Sequence, residues 1–393
     1  YIIYPNTEPP KRVSFRLHVA AGSLMEADDQ QGLAHFLEHM VFNGSKHYTS
    51  AALIPRMQRL GIAFGAHANA YTSFDETVYM LDLPDLTKDT VDLGFTVMRD
   101  FGDGALLEAD EIDKERGVIL SEKMSRDSVD DRIMEQQFLK ILPKSLVAKR
   151  FPIGTEEVIK AAPRDRFTDF YNRYYTPERM TFVVVGDVSP EEITARIEAE
   201  FSSMKNPAAP GKNPDLGPIV APEGIEPSVF ADKEVASTSV SLALIRPFDK
   251  KPDNTANRVD KIPLDLAHSI LSRRFERISK VENSPISEGS AARFDLFNYA
   301  EMGSIDVTAA NDDWQNAVPV LEQEFRRAQQ FGFTEAELGE AKANLLNAYE
   351  QAVKQKPSRK SEGLATGLIR TINDGVVFRS EEHTSELQSH HPI

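Results

Sequence analysis

The residues best equipped for chemistry in this chain are two histidines and a glutamate at close spacing: His35, Glu38 and His39. Around them Leu33, Phe36, Leu37, Met40 and Val41 repeat at i, i+3, i+4, i+7 and i+8, the stripe of an amphipathic helix, and Asn43-Gly44 supplies its stop. At about 100° per residue the three polar side chains fall nearly opposite that stripe and share one face. Two imidazoles at i and i+4 can grip one cation from successive turns. Glu38, beside His39, is then placed to touch a water on the cation rather than the cation itself. In a chain with nine His and 61 acids, H-x-x-[DE]-H arises at random about three times in a hundred, so a third ligand is needed before the spacing means metal.

Cysteine is absent, which excludes thiolate sites, thiol nucleophiles and disulfides and leaves His, Asp or Glu for the third position. The helix beginning near Ala109 offers candidates. Ile112, Val118 and Ile119 mark its buried side, and Glu115 and Glu122, two turns apart, project into the same sector. An unpaired buried carboxylate is expensive, and a metal is one of the few partners that makes two of them tolerable.

The elements that must position these residues can be read from pattern. The length, 393 residues, suits two domains, and 41% apolar with 27% charged residues is the composition of a soluble globular protein. No apolar run reaches the roughly 18 residues of a membrane span. A formal charge of −16 without a basic patch argues against nucleic-acid binding. Val13, Phe15, Leu17 and Val19 alternate with Ser14, Arg16 and His18, the pattern of a half-buried strand. Met180 to Val185 reads as a strand leading to a helix capped by Ser189 with Pro190 at its first position. Between 206 and 227 stand six prolines and three glycines, the composition of a linker. Beyond it Val240 to Ile245 and Ile305 to Ala309 read as strands and Trp314 to Gln330 as a helix.

The two halves read as copies. Glu111 to Glu122 aligns without gaps on Glu337 to Ala348, an offset of 226, with Ala341 and Ala348 where the first copy has Glu115 and Glu122. The fold expected is therefore α+β: two homologous mixed α/β domains, each a sheet covered by helices, joined by a Pro-rich linker. Residues 1–205 form the domain with the chemistry, 206–228 the linker and 229–378 a second, non-catalytic copy. The run 379–393 lacks any apolar period, matches the translation of a short-read sequencing adapter, and is set aside from the fold. The chain starts at Tyr1 without Met, and a preceding segment, any signal peptide included, is expected to be missing.

Three stretches, Gly32 to Gly44, Asn69 to Thr72 and Glu115 to Glu122, carry a resemblance to the insulinase/pitrilysin family of zinc metallopeptidases, the inverzincins with the H-x-x-E-H order. The resemblance covers residues 1 to about 378. It implies a Zn2+ ion on His35, His39 and Glu122, with Glu38 as general base and Glu115 as a supporting carboxylate. It also implies an exposed strand edge at Asn69 and Ala70, onto which an extended peptide adds. The 83 residues from His39 to Glu122 are read as including a loop insertion. The function implied is an endopeptidase or oligopeptidase acting on peptides or unfolded polypeptides, completed by a missing C-terminal half or a partner subunit. The resemblance favours the periplasm or envelope of a bacterium. The alternative is a non-catalytic binding or scaffold subunit of the same fold. The other histidines have plainer roles: His18 on a polar strand face, His47 in a loop, His268 on a helix without an acidic mate, and His67 near the proposed edge.

Overall fold

A computed structural model describes residues 1–378; the segment 379–393, read above as adapter sequence, lies outside the described residues. Two units emerge: residues 1–131, 144–217 and 357–378 form the first, residues 132–143 and 218–356 the second. The first unit begins β1 (Ile2–Pro5), β2 (Val13–Val19), α1 (Leu33–Met40), α2 (Leu53–Arg59), β3 (Ala68–Thr72), β4 (Thr77–Leu83). Helices α3 (Lys88–Asp103), α4 (Ala109–Ser125) and α5 (Val129–Ile141) follow, α5 grouping with the second unit from residue 132. Then come α6 (Glu156–Ala161), α7 (Arg164–Tyr174), β5 (Met180–Gly186) and α8 (Pro190–Phe201). The second unit holds β6 (Ser239–Pro247), α9 (Thr255–Ser279), β7 (Ile286–Leu296), β8 (Ala300–Ala309), α10 (Trp314–Phe331) and α11 (Glu335–Gln355). The last helix, α12 (Ser361–Asp374), belongs to the first unit.

The first sheet has the order β1-β5-β2-β4-β3, so β3 is an edge strand. Only β1 and β5 run parallel; the other pairs are antiparallel. Strand β1 escapes a reading by pattern because Ile2-Ile-Tyr-Pro5 does not alternate and takes its place by pairing with β5, far along the chain. Val13, Phe15, Leu17 and Val19 of β2 join Phe36, Phe95, Phe101 and Phe167 in one core. The other face was expected to be open and is not: Ser14, Arg16 and His18 are buried as well. Helix α12 covers that side, packing Leu364, Ala365, Leu368 and Ile369 on Val78, Val183 and Val185. Arg16 and His18 are tolerated there because Asp82 lies 2.7 Å from the guanidinium and Glu76 3.2 Å from the imidazole. The boundary expected at 229–378 thus differs from the structure at its end, where residues 357–378 group with the first unit.

The second sheet, β6-β8-β7, repeats the order β2-β4-β3 of the first. Three pairs of elements keep the 226-residue offset: β2 and β6 start at 13 and 239, α3 and α10 at 88 and 314, α4 and α11 at 109 and 335. The fold is α+β, two mixed domains built as a repeat. The copies diverge where the chemistry lies. The second has one 25-residue helix, α9, where the first has the 8-residue α1, and Lys261, Leu264 and Asp265 stand 226 positions after His35, Glu38 and His39. Among the described residues no helix or strand falls between Phe201 and Ser239, and no helix is long and apolar enough to cross a membrane.

Candidate metal centre

The apolar stripe of α1 sets the orientation of the site. Leu33, Phe36, Leu37 and Met40 are fully buried in the first unit's core, with Phe36 edge-to-face on Phe167 at 4.8 Å. That fixes the rotation of the helix, and His35, Glu38 and His39 turn toward α4 and β3. His35 is 4% and Glu38 9% exposed, while His39 keeps 24% of its side chain exposed. On α4, Ile112 and Ile119 are buried, but Val118, read above as marking the buried side, is 51% exposed. At about 100° per residue Val118 stands about 40° beyond Glu122. The packed strip of α4 is narrow, and it ends at the glutamates that face α1.

Three donors converge. One ligand atom each from His35, His39 and Glu122 lies within 4.8 Å of the others, the one such group among the described residues. Nε2 of His35 is 3.6 Å from one carboxylate oxygen of Glu122, and Nε2 of His39 is 3.3 Å from the other. Glu115 stands behind His39, with Oε1 2.8 Å from Nδ1 and Oε2 accepting from Asn43 Nδ2 at 2.7 Å. A carboxylate on Nδ1 holds the proton there and leaves Nε2 as a lone pair aimed at the shared centre, the usual outer contact of a metal-bound imidazole. His35 Nδ1 is buried with no hydrogen-bond partner, so its polar contact is made through Nε2. Two imidazole nitrogens and a carboxylate oxygen, with two more carboxylates at hand, suit a zinc ion with one position left open.

The electrostatics agree with an anionic pocket. The close approach of His35, helped by the charges of His35, Arg126 and His39 and opposed by burial, holds the Glu122 carboxyl at about 2. Burial pulls the His39 imidazole down, but the bond to Glu115 and the charges of Glu38, Glu115 and Glu122 outweigh it and raise its pKa. Glu38 Oε2 accepts from the Thr72 hydroxyl at 2.7 Å, which ties the acid to β3.

Asn69 and Ala70 lie on that edge strand, Asn69 exposed and Ala70 half-buried. His67 and Ser73 bond toward β4, so by alternation the main-chain groups of Ala70 and Thr72 face the free edge. The Ala70 N–H meets only its neighbour's side chain, Asn69 Oδ1, at 2.9 Å. Sequence reasoning gave Thr72 and Asn43 no part in the site. Asn43 was within reach, being four residues after His39 at the stop of α1; Thr72 was not, because nothing in its neighbourhood announces its contact with Glu38.

A two-domain α+β protein with a single His, His, Glu donor cluster in its first copy is the class that this fold and site define. Residues 1–146 match the model of "Insulinase (Peptidase family M16)", and residues 161–345 that of the "Peptidase M16 inactive domain". The chain belongs to the insulinase family of peptidases. It is 30% identical over 388 residues to a probable zinc protease, PqqL, of Escherichia coli K12, covering 98% of this chain and 41% of that protein. It is also 30% identical over 400 residues to the chloroplastic stromal processing peptidase of Arabidopsis thaliana, covering 86% of this chain and 30% of that protein. The crystal structure of the first half of the periplasmic protease PqqL from Escherichia coli superposes with a TM-score of 0.91 at 29% identity, over 99% of this chain and 82% of that one. The chain thus spans less than half the length of these two relatives.

Proposed function

We propose that the chain is the zinc-binding half of an endopeptidase or oligopeptidase, with His35, His39 and Glu122 as ligands, Glu38 as general base and Glu115 as the support of His39. The observation that carries the reading is the approach of those three donors to within 4.8 Å beside a buried acid anchored to an edge strand. Zinc held there supplies a bound water of lowered pKa and polarises the scissile carbonyl. Glu38 takes the proton of the attacking water, and the same carboxyl returns it to the amine nitrogen as the C–N bond breaks. Thr72 occupies Oε2 of Glu38 and leaves Oε1 for that traffic. An extended peptide, from a short substrate or an unfolded polypeptide, adds to β3 as a further strand, with Asn69 giving up its bond to the Ala70 N–H. The likeness to a periplasmic protease supports a bacterial periplasm as the compartment.

Metal analysis after dialysis is the direct test: about one zinc per chain in the wild type and far less in His35→Ala. Zinc unchanged in that variant would remove His35 from the site. Zinc bound without peptidase activity, even with the complementary portion of the whole protein supplied, would favour the non-catalytic subunit instead.

A further inference from the structure

Each acid that α4 turns toward α1 is followed directly by a cation: Glu115 by Arg116, and Glu122 by Lys123. One residue turns the helix by about 100°, so the acids meet α1 while the cations meet a different neighbour, the segment 150–162. Arg116 donates to the main-chain carbonyls of Ile159 at 2.6 Å and Ala162 at 2.7 Å, at the end of α6. Lys123 Nζ donates to the carbonyl of Gly154 at 2.9 Å.

Gly154 in turn abuts the start of α1. Its φ is +70°, and a Cβ there would fall 2.3 Å from Gly32 Cα and 2.5 Å from Gly32 N. Gly32, at φ +96°, meets Gly154 reciprocally, its own Cβ position lying 2.9 Å from Gly154 Cα. Gly32 has no side chain to cap the helix, and Glu26 does so instead, accepting from the N–H of Gly32 at 3.0 Å and of Ala34 at 2.8 Å. Arg150 ties that cap to the same segment: its Nε donates to the Glu26 carbonyl at 3.2 Å, and its own carbonyl accepts from Ser23 at 2.5 Å.

We infer that residues 150–162 form a brace that fixes α1 against α4, with Glu26, Lys123 and Gly154 as positioning residues for the His35, His39 and Glu122 cluster. From Glu122 the link runs through its chain neighbour Lys123 and then through two contacts, Lys123 to Gly154 and Gly154 to Gly32, three residues before His35. None of the three residues touches the donor atoms. Loosening the brace lets two rigid helices shift by a fraction of an ångström, which a ligand set tolerates poorly. The inference rests on the reading of those three residues as ligands.

The test compares Lys123→Met, Lys123→Arg and Gly154→Ala with the wild type in the full chain. Zinc affinity is measured by competition with a chromophoric chelator, ligand geometry by the visible spectrum of the cobalt-substituted protein, and folding by thermal melting of the metal-free protein. Lys123→Met and Gly154→Ala are expected to lose roughly 10- to 100-fold in zinc affinity, the range for contacts outside the ligand shell, with an altered cobalt spectrum. Lys123→Arg should restore both, and the metal-free melting of Lys123→Met should match the wild type. Wild-type affinity and spectrum in Lys123→Met overturn the brace, whatever the melting temperatures; if Gly154→Ala fails to fold, the Lys123 pair decides alone. Absence of zinc binding by the wild type itself shows separately that the ligand reading has failed, and the brace with it.

Discussion

Glu38 and Glu115 both bring their charge to bear on His39, yet their contacts suit the two different roles proposed for them. Glu38 has one oxygen held by Thr72, while both oxygens of Glu115 are occupied, by His39 and Asn43. Glu38→Gln should therefore keep fold and zinc and lose about two to four orders of magnitude in kcat, since an amide keeps the shape but accepts no proton. Peptidase assays with metal analysis on one preparation check it, and activity within tenfold of wild type would mean another base. Glu115→Leu should instead weaken zinc by roughly 10- to 100-fold, because His39 loses the acceptor that fixes its tautomer; chelator competition reads this directly. The residues legible in the sequence were those whose signal is local: an i, i+4 histidine pair on one face, and two acids in the sector where a helix buries its apolar residues. Thr72 reaches the site and Glu26 the start of α1 from other elements, and no spacing records that.

The same limit holds for the elements. Alternation identified β2, but it showed one face only, because the cover of the other face is α12, which lies more than 340 residues further along. Leu368 is 3% exposed in that contact, and Leu368→Ala should cost about 2–5 kcal/mol, the range for a large core truncation. Denaturant unfolding followed in the first unit would register it; no loss would mean that α12 is a dispensable cover. The helix also contacts a half-buried acid. Asn373 Nδ2 donates to Asp75 at 3.1 Å, and burial, together with the neighbouring Glu76 charge, raises the Asp75 carboxyl to about 6. An acid whose folded-state pKa is raised binds its proton more tightly when folded, so its charged form opposes folding as pH climbs from about 4 through 6. Asp75→Asn keeps an acceptor for Asn373 and removes the charge. The variant should melt higher than wild type at pH 8, by at most about 3 kcal/mol, and approach it at pH 4; equal melting at both values would refute the assignment.

At the scale of the molecule the repeat explains why the described residues hold one donor cluster and not two. The second copy keeps the strand order and much of the offset, but Lys261 and Ala348 stand where His35 and Glu122 would be and Asp265 is ion-paired with Arg293, so the three-donor set is missing, which the sequence showed in part through the alanines at 341 and 348. The first copy's site is open along the β3 edge: Asn69 and Tyr71 are exposed, Phe64 beside them is 52% exposed and Val118 of α4 51%. An open wall can bind zinc, but it positions a peptide from one side and leaves the attacking water in contact with bulk solvent. Orientation and water exclusion are large parts of peptide hydrolysis, and both come from closure around the substrate. The relatives that resemble this chain over nearly its whole length are more than twice as long, which leaves room for a second wall. The expectation is that this chain alone binds zinc with the affinity of the whole protein and yet cleaves peptides at least tenfold more slowly. Adding the complementary portion as a separate polypeptide should recover the rate through kcat more than through zinc content. Peptide cleavage with and without that portion, at matched zinc occupancy, decides the matter. Equal rates would mean that the β3 edge, the donor cluster and Glu38 suffice by themselves, and that closure contributes nothing to the proposed reaction.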